Sequence, residues 1–152
     1  MANEVARAQE PAAPAPPPWS TRCVSEARAV APACTAEQTV LVRQQQNNQV
    51  LLTLRLQAPA SRSPLTFSVQ TPLGLLLPAG LTLQVDETPP LTLPLQTCDN
   101  AGCYAATPLN DELARAYGAG GRLRIGLQTA AGETLTIEIP LEGFAEALER
   151  IR

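Results

Sequence analysis

The sequence contains no histidine, no basic run and no long apolar run, and its formal net charge is only −3. Histidine is the commonest general base and the commonest metal ligand, so its absence excludes a Ser-His-Asp triad and argues against a metal site. Without a basic run, the chain lacks the electrostatic signature of a nucleic-acid-binding protein. No stretch approaches the roughly 18 apolar residues that a membrane helix needs, so no transmembrane segment is predicted.

Aromatic residues are scarce as well, at 3% of the chain, so Leu, Val, Ile and Ala must supply most of the core. A length of 152 residues suits one ordinary domain with a tail. The stretch EPAAPAPPP, which closes residues 1–18, cannot pack a core and is typical of an extended linker. We therefore expect a disordered Pro/Ala-rich spacer over residues 1–18 and one folded domain over residues 19–152.

Within residues 19–152, apolar residues recur with a period of two. One segment alternates at Val50, Leu52, Leu54 and Leu56, and the pattern returns in LTLQV, LTLPL, RLRIGLQ and ETLTIEI. This period places one face of each segment in the core and the other in water. Turn sequences such as CDNAG and TAAGE separate the segments, which predicts an all-β sandwich or barrel. Pro94 cannot donate to a ladder, so LTLPL is predicted to be an edge strand or to carry a bulge.

Two helices are predicted among these strands. The sequence NDELARAYG offers Asn110 as N-cap and Gly118 as a C-terminal stop, which indicates a short helix near 111–117. A second helix is predicted at the C-terminus, with one apolar face formed by Phe144, Leu148 and Ile151. We expect this helix to lie across the sandwich and to cover apolar surface.

The four cysteines are Cys23, Cys34, Cys98 and Cys103. Four cysteines allow three connectivities, and locality favours Cys23–Cys34 with Cys98–Cys103. Zinc sites usually use knuckles with two to four intervening residues, and redox pairs use C-x-x-C, so disulfides are the favoured reading. Disulfides persist in oxidising compartments, which predicts a periplasmic or secreted protein. The start, MANEVARAQE, has no continuous apolar h-region, so we expect that a leader has been removed.

Carboxylate pairs are the remaining candidates for catalysis. They occur only in predicted turns or at a helix start, at Asp86, Glu87, Asp99, Asp111 and Glu112. Acids at such positions usually accept local backbone hydrogen bonds or cap helices. The sequence GAGG precedes a strand rather than following one, so it is a connector and not a phosphate loop. We therefore predict no enzyme, with no catalytic residue, no cofactor and no metal.

The order of these landmarks resembles the invasion-associated locus B (IalB) family. The resemblance rests on Trp19 and Cys23 in W-x₃-C, on Cys34, on TPLGLLLPAGLTLQVD, on CDNAGCYA and on the closing PLEGFAEAL. It implies an exported bacterial protein with an immunoglobulin-like β-sandwich, and some members of the family are associated with host-cell invasion. The family brings no catalytic residues to transfer to this chain.

Three functions are consistent with this sequence. The first is a non-enzymatic interaction module of the bacterial envelope, associated with host-cell invasion, whose partner is an unknown protein or envelope component. The second is a periplasmic protein that maintains the cell envelope. The third is a small hydrolase that uses two carboxylates roughly 5–10 Å apart in a cleft. Neither the partner nor the oligomeric state follows from the sequence.

Deleting residues 1–18 should leave the thermal stability of the domain nearly unchanged, because the spacer has no periodic apolar positions. The melting temperatures of the full and shortened chains measure this. A decrease of more than about 4 °C, which corresponds to roughly 1 kcal/mol, would show that the spacer packs on the domain.

Overall fold

The computed structural model describes residues 19–44 and 47–152, so the expected spacer over residues 1–18 lies outside the described residues. Within them, two antiparallel sheets share one apolar core, and two short helices complete the domain. The predicted all-β sandwich is confirmed. In chain order the elements are β1 (Ser20–Val24), β2 (Ala33–Gln44), β3 (Asn47–Ala58), β4 (Thr66–Thr71), β5 (Leu81–Val85), β6 (Leu91–Leu93), β7 (Thr97–Asp99), β8 (Gly102–Pro108), α1 (Asp111–Ala119), β9 (Arg122–Gln128), β10 (Thr134–Pro140) and α2 (Phe144–Ile151).

The first sheet has the strand order β1-β2-β3-β4-β8-β7, and the second has the order β10-β9-β5-β6. All neighbouring strands are antiparallel. The chain crosses between the sheets after β4, after β6 and, through α1, after β8. β6 is an edge strand that ends just before Pro94, as the missing N–H of that proline requires.

Alternation along the strands produces the two faces that the sequence predicts. In β4, Phe67 and Val69 are buried, while Thr66 and Ser68 are only partly covered. Four strands, β1, β2, β7 and β8, lie outside the alternating segments of the sequence. The inward positions of β2 are Cys34, Ala36 and Gln38, which hydrophobic periodicity does not register because they are small or polar.

The helix α1 begins where the sequence predicts and ends later. The side chain of Asn110 accepts a hydrogen bond of 2.8 Å from the backbone N–H of Leu113, as an N-cap should. The prediction that Gly118 ends the helix is wrong, since α1 continues through Ala119 and Gly120 is its C-cap. Gly118 is not held at positive φ, so nothing at this position stops the helix.

An aromatic chain connects both helices to the sandwich. The ring centroids of Phe67 and Tyr117 are 5.4 Å apart, those of Tyr117 and Phe144 are 5.6 Å apart, and those of Phe144 and Trp19 are 5.7 Å apart. All three contacts are edge-to-face, the arrangement that aromatic quadrupoles favour. The protein has five aromatic residues in all, one Trp, two Tyr and two Phe, and four of them belong to this row of contacting rings.

We predict that Phe144→Ala lowers the free energy of unfolding by about 3–5 kcal/mol, because it removes a fully buried ring and leaves a cavity. Denaturant unfolding measures this loss, with the exposed Glu146→Ala in the same helix as the control. A loss below roughly 1 kcal/mol, the size expected of a surface substitution, would contradict the role of Phe144 as the anchor of α2.

Candidate interaction surface

Three connections lie at the same end of the sandwich: the 72–80 loop, the β7–β8 turn and the β9–β10 turn. β4 ends at Thr71, which pairs with Cys103 beside the β7–β8 turn. The 72–80 loop then crosses to the second sheet, where Leu75 forms a bridge with Thr129 beside the β9–β10 turn. We call this the leucine end, and α1 and α2 follow strands that finish at the opposite end.

Among the side chains that the structure describes, four leucines are exposed at the leucine end. Their exposed fractions are 55% for Leu73, 50% for Leu77, 39% for Leu76 and 38% for Leu135. Single exposed leucines are normal on protein surfaces, but neighbouring ones form a patch that favours association. The fifth leucine, Leu75, is partly buried and packs against the core, so the loop is anchored between its exposed side chains.

Backbone hydrogen bonds hold the 72–80 loop in place. The N–H of Leu76 donates to the carbonyl of Gln128 at 2.8 Å, and the N–H of Ala130 donates to the carbonyl of Gly74 at 2.9 Å. Gly80 has φ of 64°, and a Cβ there would collide with the carbonyl oxygen of Leu93. Only glycine fits this position, so the loop has a defined conformation.

The second disulfide, Cys98–Cys103, closes the β7–β8 turn beside this loop. Within the turn, one carboxylate oxygen of Asp99 accepts from the N–H of Ala101 at 2.8 Å and from that of Gly102 at 3.2 Å. The hydroxyl of Tyr104 donates to the same carboxylate at 3.0 Å. These bonds lower the pKa of Asp99, with the N–H of Ala101 as the largest cause. The carboxylate is therefore a structural acceptor within the turn.

The first disulfide, Cys23–Cys34, joins β1 to β2 where the two cysteines are register partners. Both bonds have the local pairing that the sequence favours, and the described residues contain no free cysteine. The β1–β2 loop beyond this disulfide lies at the end opposite the leucines and exposes only two large apolar side chains, Val24 and Val30.

Of the carboxylates that the sequence offered for catalysis, Asp86 and Asp99 lie at opposite ends of the sandwich. Asp86 accepts hydrogen bonds of 3.0 Å from the N–H groups of Gly121 and Arg122, which lower its pKa. A general acid needs a raised pKa, so this shift has the wrong sign for the acid of a hydrolase. Asp111 and Glu112 lie in the first turn of α1, where the helix dipole stabilises acidic side chains.

Across residues 19–44 and 47–152, no three side chains are grouped to hold a metal ion.

A surface cleft of about 470 Å³ lies beside the start of α1, far from the leucine end. Arg62 and Arg152 line it together with Asn110. The guanidinium of Arg62 already donates to the carbonyl of Ile151 at 3.1 Å, and the side chain of Asn110 caps α1. Arg62 therefore helps to hold α2 in place, and Asn110 stabilises the start of α1.

In the sequence, TPLGLLLPAG was interpreted only as part of a family pattern, and the exposure of its leucines was not predicted. A signal was present: Leu75, Leu76 and Leu77 are consecutive and break the alternation of the strands. In a half-buried strand such a run must expose at least one apolar side chain.

The fold and the surface define a disulfide-linked, antiparallel β-sandwich with an exposed apolar end. The chain belongs to the invasion associated locus B (IalB) protein family, whose model matches residues 19–152. No curated protein is similar enough to the chain to count as a match.

One solved structure gives the same fold. The chain is similar to the crystal structure of invasion associated protein b from Bartonella henselae, at 23% identity and a TM-score of 0.73. The match covers 90% of this chain and 92% of that one. A novel protein of unknown function from Burkholderia pseudomallei K96243 shares 15% identity over 59% of this chain and 57% of that one, and its TM-score of 0.39 is too low to indicate a shared fold.

We predict that Asp99→Ala destabilises the domain at neutral pH and that this deficit shrinks in acid. The folded state lowers the pKa of Asp99, so its stabilisation is present above the unfolded value of about 3.9 and is lost as pH falls through the lower folded value. Urea unfolding of the wild type and the variant at pH 7 and at about pH 3 measures both effects. Tyr104→Phe, which removes one donor, should show a smaller deficit. An equal deficit at both pH values would contradict the ionic role of Asp99.

Proposed function

We propose that the protein is a non-enzymatic interaction module of the bacterial envelope, and that it binds a protein partner through the leucine end. The observation that supports this most directly is the exposure of Leu73, Leu76 and Leu77 on a loop fixed by hydrogen bonds, with Leu135 of β10 exposed at the same end of the sandwich. Burial of apolar surface is the main driving force of association, and a preformed loop loses little entropy when it binds.

Export is supported by the covalent structure. Both disulfides are formed, and such bonds persist in oxidising compartments. No helix in the described part of the chain is long and apolar enough to cross a membrane. The Pro/Ala-rich residues 1–18 would act as a semi-rigid spacer of about 3.1 Å per residue, which would give the module reach from an attachment point.

An association with host-cell invasion is proposed from the family and from the relative that is called invasion associated protein b. Envelope maintenance is the second candidate function. It is favoured by the same two features, a spacer and an apolar surface, if the partner is a component of the envelope. The hydrolase reading has weaker support, because the pKa values of Asp86 and Asp99 are lowered rather than raised.

The test is capture of envelope proteins by the immobilised chain, including residues 1–18. We expect Leu73→Ser/Leu77→Ser to lose at least about tenfold of the capture, since two apolar contacts of roughly 1 kcal/mol each are removed. Stability should change little because both side chains are half exposed.

The matched control is Val24→Ser/Val30→Ser, which makes the same kind of change at the opposite end, where exposure is 59% and 45%. This control should bind like the wild type. If the leucine and valine variants capture the same proteins equally well, the leucine end is not the binding surface. If the purified chain hydrolyses cell-wall material and Asp86→Asn or Asp99→Asn abolishes this, the non-enzymatic proposal fails.

A further inference from the structure

Strand β2 has an open edge. β1 pairs with β2 only from Ala33 to Glu37, while β2 continues to Gln44 with β3 on its other side. Within the described part of the chain, no strand lies along the outer edge of residues 38–44. The backbone donors and acceptors along such an edge form a template for another strand.

The four edge strands of the two sheets, β1, β7, β6 and β10, have features that disfavour pairing with another strand. β6 and β7 have three residues each, and β6 is flanked by Pro90 and Pro94. β1 carries Arg22 and is linked to its neighbour by a disulfide. β10 carries Glu138 and ends with Pro140. Short strands, charges and prolines are the usual protections of natural sheet edges.

The open edge of β2 has little of this protection. Between Glu37 and Arg55 the sequence contains one charged residue, Arg43, and neither proline nor glycine. The irregularity in the β2–β3 pairing falls on β3, where Leu51 has no register partner, so β2 itself stays regular. A hairpin of two strands alone is marginally stable in water, and this part of the hairpin extends beyond both neighbouring strands.

Residues 16–18, which come shortly before β1 in the sequence, are all proline. Proline has no N–H to donate to a ladder, so these three residues offer no backbone donors to an open edge. A strand of a second copy of the chain offers both donors and acceptors.

The sequence of the edge is close to a palindrome. Residues 38–44 read QTVLVRQ. In antiparallel pairing of two such edges about a two-fold axis, Leu41 lies opposite itself and Val40 lies opposite Val42. The two Gln residues at the ends lie opposite each other, and each Arg43 lies opposite Thr39. The two arginines are then four positions apart, or about 13 Å along the strand, which exceeds the screening length of about 10 Å.

We propose that residues 38–44 of two copies pair antiparallel about a two-fold axis at Leu41, which joins the two six-stranded sheets into one. Such an interface is isologous and uses the same surface on both copies. This proposal does not depend on the leucine end.

The first test is sedimentation equilibrium of the full chain with a substitution at the two-fold axis. We expect the wild type to dimerise and both Leu41→Lys and Leu41→Glu to weaken the dimer by about tenfold or more, because like charges come to lie directly opposite each other. Mixing the two variants should restore dimers, since opposite charges then meet. This rescue separates loss of pairing from misfolding.

The second test locates the interface. Leu41→Cys should form an intermolecular disulfide under oxidation, because residues directly opposite in antiparallel strands have Cα atoms about 4.5–5.5 Å apart. The control is Leu135→Cys, on edge strand β10, which should not cross-link. A wild type that stays monomeric at all concentrations overturns the proposal. A dimer that cross-links through Leu135→Cys instead of Leu41→Cys also overturns it. A dimer that is abolished by Leu73→Ser/Leu77→Ser overturns it as well.

Discussion

The packing of four aromatic rings holds the domain together where hydrogen bonding cannot. Trp19 precedes the first strand, Phe67 lies in a central strand, and Tyr117 and Phe144 belong to the two helices. Edge-to-face contacts connect them in one line, and burial raises the pKa of Tyr117 to about 12. Helices share no backbone ladder with a sheet, so these side chains fix α1 and α2 against the sandwich. A chain with so few aromatic residues concentrates them where attachment needs them.

This attachment decides which surfaces remain available. The helices close one end of the sandwich, and the Arg62 guanidinium reinforces them by donating to the carbonyl of Ile151. Among residues 19–44 and 47–152, no helix covers the other end, and leucines of its connecting loop are exposed there. There the disulfide Cys98–Cys103 and the Asp99 carboxylate fix one turn, and backbone hydrogen bonds fix the 72–80 loop. The exposed leucines are thus carried on a rigid frame, as expected of a binding surface rather than of a disordered loop.

The leucine end and the open edge of β2 are different kinds of surface on one module. The first offers apolar side chains, and the second offers backbone groups that pair with an extended strand. The chain belongs to the IalB family and shares its fold with the Bartonella protein.

The sequence by itself determined the all-β class and both helices; it favoured the local cysteine pairs and left β6 as an edge strand or a strand with a bulge. These follow from local rules: a period of two, helix capping, the missing N–H of proline and short loops. It did not reveal β2, whose inward residues are small or polar, or the end of α1 at Gly120 rather than Gly118. Only the tertiary structure decided that the 72–80 loop and the β9–β10 turn lie at the same end of the sandwich and that β2 extends beyond β1. Exposure and free edges depend on which segments pack next to each other.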